Sequence, residues 1–121
     1  MLPPSHRHHY QEFLKALLQL LHTAQEAALN EDTSLNSSFG EVQQIFQRQI
    51  LSLANDDSNS VINSQIQPYL TEIHRLMRLL QMDITFLHAS RHSATAVARQ
   101  VTLSDRIKTL IGFCEALLEN E

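Results

Sequence analysis

Glycine is almost missing from this chain: its 121 residues hold two, Gly40 and Gly112, beside three prolines, one cysteine and no tryptophan. So few turn formers argue against the many tight hairpins of a β-sandwich or barrel. Two glycines are also too few for a phosphate-cradling loop, and neither GxxxxGK[ST] nor GxGxxG occurs, nor GxSxG or CxxC. These absences point away from a conventional nucleotide enzyme and towards a protein with no catalytic residues and no cofactor. The single cysteine, Cys114, has no partner for an internal disulfide. No apolar run reaches the ~20 residues that cross a bilayer, and the N-terminus lacks the apolar core and cleavage site of a secretory signal. The expectation is a cytoplasmic protein with no membrane segment. Aromatic residues make up 6% and the formal net charge is −4, a poor match to a nucleic-acid binder, which needs stacking rings and positive charge.

What the chain does have is leucine, glutamine and alanine, all good helix formers. A chain of this length buries roughly two thirds of its unfolded surface without a metal or disulfide, so residues 1–121 are read as one helical domain. From Tyr10 the apolar positions Leu14, Leu17, Leu21 and Ala24 follow in steps of four and three, widened by Phe13 and Leu20, which is one face of a long helix. Pro3 and Pro4 stand outside that helix, Ser5 is a natural N-cap, and "NEDTSLNSS" ends it. A second stripe runs through Phe39, Val42, Phe46, Ile50 and Leu53. A third runs through Ile62, Ile66, Tyr69, Ile73, Leu76, Leu80, Ile84 and Leu87, and contains Pro68. A proline inside a helix costs ~3 kcal/mol, so a break or kink is expected there, with the main helix starting near it. The fourth stripe carries Leu103, Ile107, Leu110, Cys114 and Leu117. The periodicity predicts an all-α, antiparallel up-down-up-down four-helix bundle with helices at about 5–29, 37–54, 60–89 and 92–119.

Candidate chemistry is sparse. "SHRHHY" pairs His6 with His9 at a spacing of three, and His88 with His92 at four, but zinc needs three or four converging ligands, and both pairs are read as solvated or capping histidines with no metal. His74 stands in "HRLMRLL", which keeps the His-any-Leu of histidine phosphotransfer domains, four-helix bundles of similar size. It departs from them where Met77, Arg78 and Leu79 crowd the surface that a receiver domain must approach. Asp83 falls where the stepping calls for an apolar residue. Helical drift of ~20° per heptad relative to a strict seven-residue repeat would carry it to the edge; the alternative is a buried ion pair with an arginine beside the seam. Charge is uneven along the chain: residues 75–108 hold six basic residues against Asp83 and Asp105, a balance of +4, leaving −8 for the rest. Arg75, Arg78, Arg91, Arg99 and Arg106 are therefore the candidate partner-binding residues, suited to an acidic protein surface.

Over its whole length the chain resembles the heterocyst frequency control family, PatD, of filamentous cyanobacteria. The likeness is carried by "HHYQEFLKALLQLL" near the N-terminus and "DRIKTLIGFCEALLE" near the C-terminus. The resemblance implies a small cytoplasmic regulator of cell differentiation and division, without enzymatic activity, that binds the tubulin-like protein FtsZ and modulates its assembly. Two alternatives remain open: a phosphotransfer-like signalling domain using His74, and a homodimeric helical adaptor for another protein.

Overall fold

Helix starts and stops in a chain this poor in glycine are made by side chains. The computed structural model describes residues 2–27, 34–54, 60–90 and 93–119, which form four helices and no strand. Helix α1 spans Pro4–Ala27. Pro4, and not the following serine, opens it: the amides of His6 and Arg7 donate to the Pro3 carbonyl at 2.9 and 3.0 Å. Pro4 thus occupies the first turn, where a missing N–H costs nothing.

Helix α2 begins at Ser34, earlier than the expected residue 37. It consists of an α-helical stretch Ser34–Ile45, a π-helical segment Phe46–Ile50 and a last α-helical turn Leu51–Ala54. The early start is driven by Leu35, which is fully buried and continues the stripe of Phe39, Val42 and Phe46 backwards. The polar "SLNSS" context hid it. In the π segment the Leu51 amide donates to the Phe46 carbonyl, five residues back.

Helix α3, Ser60–Ala89, runs unbroken through Pro68. Pro68 and the nearby Ser64 and Gln65 are exposed, so water can take the carbonyl that the proline leaves without a donor. The expected break is not there. Helix α4 spans Ser93–Glu119. The expected tail of the first helix at 28–29 and the expected start of the fourth at His92 lie outside the described residues.

The last carbonyls of a helix have no partner within it, and side chains from neighbouring helices supply one. Gln100 Nε2, early in α4, donates to the carbonyls of Ala24 and Gln25 near the end of α1. Asn63 Nδ2, early in α3, donates to the Ala54 carbonyl that ends α2 at 3.2 Å. Arg7 Nη1, early in α1, donates to the Leu118 carbonyl near the end of α4 at 2.7 Å, placing a cation where the helix dipole favours one. The Arg7 and Gln100 contacts tie the start of α1 to the end of α4 and the end of α1 to the start of α4. Tyr69 of α3 lies edge-on against Phe113 of α4.

The four helices share one apolar core. Leu17, Phe46, Ile73, Leu76, Leu110 and Cys114 are all buried in it. The stripe on α1 is rotated from the expected one: Tyr10, Phe13, Leu17, Leu20 and Ala24 are buried, whereas Leu14 and Leu21 are half-buried. Helix α1 packs closely on both α2 and α4, and α3 packs on α4, but α2 and α3 touch much less. That loose seam leaves an open groove.

Candidate functional site

The arginines are divided between two sides of α3. Arg106 is not a free surface charge: its Nε lies 2.6 Å from Asp83 Oδ2, and the Asp83 side chain is only 11% exposed. At that distance the two groups form a close ion pair between α3 and α4. Burial pushes the Asp83 carboxyl above its ordinary range, while Arg106 and, more weakly, Arg99 pull it back down. Asp83 is therefore held in a half-buried pair, the alternative to the edge position that helical drift suggested. Arg99 lies over the Phe86 ring, 4.7 Å from its centroid, a cation–π contact between α4 and α3. Arg75 and Arg78 face the other way, towards α2. Arg75 Nη2 donates to Glu72 Oε2 at 2.8 Å, an exposed pair. Arg91 lies outside the described residues.

The histidines are dispersed. His6 is turned into the bundle, His9 meets Gln49 Oε1 of α2 at 2.7 Å, and His88 meets Asn36 Oδ1 at 3.2 Å. Among the described residues no three His, Cys, Asp or Glu side chains gather as metal ligands. His74 is exposed on α3, its ring 5.8 Å from that of Phe46.

The groove between α2 and α3 encloses about 520 Å³. Its apolar surface comes from Leu51 and Ala54 of α2 and from Leu70, Leu79 and Met82 of α3, and its polar rim carries His74, Arg75 and Arg78. No carboxylate lines it among the described residues. The arginine pattern led to Arg75 and Arg78, but the apolar floor was missed. The signal was present: Leu79 and Met82 are apolar residues off the core stepping of α3, on the turns that continue from Arg75 and Arg78.

Two further groups are deeply buried in the core. Tyr10 is fully buried and its hydroxyl has no hydrogen-bond partner. Burial, with a smaller contribution from Cys114, pushes the phenol upward. The Cys114 thiol is raised by burial to about 12.

Set against models of known protein families, characterised proteins and solved structures, the chain matches none.

Proposed function

We propose that this protein is a non-enzymatic regulator that binds an acidic protein surface through α3 and the start of α4, and that its partner is FtsZ. The observation that supports this is the density of exposed cation on α3 and its neighbour: Arg75, Arg78 and Arg99 are exposed on a hairpin made rigid by the Asp83–Arg106 pair and the Tyr69–Phe113 contact. Arg106, half-buried against Asp83, acts in this reading as a strut and not as a contact. The resemblance to the heterocyst frequency control family supplies the identity of the partner and, with it, a cytoplasmic site of action in differentiation and division. No helix of the described residues is long and apolar enough to cross a membrane.

The test is co-sedimentation of FtsZ polymers with the wild-type chain and with a triple variant, Arg75→Glu, Arg78→Glu and Arg99→Glu, after circular dichroism shows its helicity intact. Exposed charges contribute ~0.2 to 1 kcal/mol each, and reversal to Glu adds repulsion of similar size to the lost attraction, so the triple change should weaken binding about tenfold or more, and wild-type binding should fall with added salt. Equal binding by both proteins at all salt concentrations defeats the reading.

The exposure of His74 favours one alternative, phosphoryl transfer. Incubation with a phosphorylated receiver domain, followed by mass spectrometry at neutral pH, separates the two. Phosphate on the wild-type chain that is lost in His74→Gln supports the signalling domain and removes the regulator reading.

A further inference from the structure

We infer that the groove between α2 and α3 receives an acidic amphipathic helix from a partner protein. This rests on the reading above in taking the chain as a protein-binding module, and it names the element of the partner that is held.

The groove has the length for a helix. Its α3 wall extends from Gln67 to Met82, which at ~1.5 Å per residue is about 22 Å, or about four turns of a docked helix. Its floor is apolar along that line, through Leu70, Leu79 and Met82, with Leu51 and Ala54 forming the opposite wall at one end. Met82 is 51% exposed, and an unbranched thioether adapts its shape to an incoming side chain. Docked apolar residues one turn apart would cover this surface in the usual helix-in-groove manner.

The rim determines the charge of the occupant. His74, Arg75 and Arg78 stand along α3, and Arg48 is exposed three residues before Leu51 on α2. Glu72 holds Arg75 from outside the groove, whereas Arg78 forms no ion pair among the described residues. Carboxylates flanking the partner's apolar stripe would meet the guanidinium groups in fork geometry.

Helix is favoured over extended chain by the same surface. An extended segment needs main-chain partners, and the walls are helices whose backbone groups are already bonded; a helix satisfies its own. The groove is also open along its length, which suits a macromolecular element better than a small ligand, normally enclosed over most of its surface.

The probe is a synthetic, fluorescein-labelled 18-residue helix with leucines at successive turns and glutamates on both flanks, compared with a twin carrying lysines instead. Anisotropy with the full chain should show the acidic peptide binding at least about tenfold more tightly than its twin. Arg78→Glu and Met82→Glu should each remove that preference, and Lys108→Glu, an exposed charge reversal on α4 beside α1 and away from the groove, should not. Equal binding of the two peptides, or indifference to Arg78→Glu and Met82→Glu, overturns the inference. So does analytical ultracentrifugation in which the wild-type chain is a dimer that Met82→Glu dissociates, because the occupant is then a second copy. FtsZ sedimentation with the same variants separates this inference from the function proposed above. If the peptide preference is present and FtsZ does not bind, the groove stands and the partner assignment falls. FtsZ binding equally to wild type, Arg78→Glu and Met82→Glu, with no preference between the two peptides, overturns the groove and leaves the partner assignment intact.

Discussion

A hydroxyl sealed in the core without a partner is a standing cost, and Tyr10 carries one. Such a group loses its water bonds and gains nothing in return, roughly 1 to 3 kcal/mol. Tyr10→Phe should therefore raise the urea midpoint by the equivalent of about 1 kcal/mol; a lower midpoint would show that the oxygen contributes to packing. Tyr10 and Cys114 also set an alkaline limit. The thiol is raised from about 9 to about 12 and the phenol moves upward as well, so both keep their protons longer in the folded than in the unfolded state. The unfolded state loses protons first, and stability is lost as pH rises from about 9 towards about 12, at up to ~1.4 kcal/mol per pH unit for each group. Denaturant titrations across that range should show the fall, and Tyr10→Phe with Cys114→Ala should flatten it. Asp83 has the same sign in the acid range: its raised carboxyl favours the protonated form on folding, so its contribution to stability grows as pH falls. Its pair with Arg106 costs desolvation that well-packed apolar residues avoid. The double variant Asp83→Leu, Arg106→Met should be more stable than either single change, each of which strands one partner; double-mutant thermal melts check this.

At the scale of the element, three substitutions report how the helices tolerate poor helix formers. A Cβ added at Gly40 or Gly112 would meet nothing within 4 Å. Gly→Ala at either position should therefore add about 1 kcal/mol, from the propensity difference alone. Pro68→Ala should add more, about 1 to 3 kcal/mol, since it restores an amide donor in the interior of α3. Chemical denaturation measures all three, and a loss at Pro68 would mean that the proline shapes the helix end that borders the groove. Each helix was legible from its stripe: Leu103, Ile107, Leu110, Cys114 and Leu117 repeat at helical spacing and are all buried. The start of α2 was less so, because Leu35 stands alone among serine and asparagine and periodicity needs several turns to show. The π segment was not legible at all, since Phe46 and Ile50, four apart, read the same in an α-helix.

For the whole molecule, the fold class could be read from composition and periodicity, whereas the candidate site depended on which helices sit apart. Nothing in the spacing of Arg75, Arg78, Arg99 and Arg106 says that the first two look towards α2 while the last two engage Phe86 and Asp83 across the α3–α4 seam. A stripe predicts that a residue faces inward or outward. It does not say which neighbour stands beside an outward one, and that is decided by how tightly each pair of helices closes.

The contact between Arg7 and the Leu118 carbonyl has a mechanical side. It holds the first turns of α1 beside the last turns of α4, so Arg7 and Leu118 share one end of the bundle. Tension applied through the two ends would peel the α1–α4 seam apart one rung at a time, beginning at that contact and finishing where Gln100 meets Ala24 and Gln25. A load carried between the α3–α4 turn and either end would instead slide whole helices past one another, breaking many contacts at once. The same fold is thus soft along one axis and stiff along another, and the direction of pull decides how readily it opens.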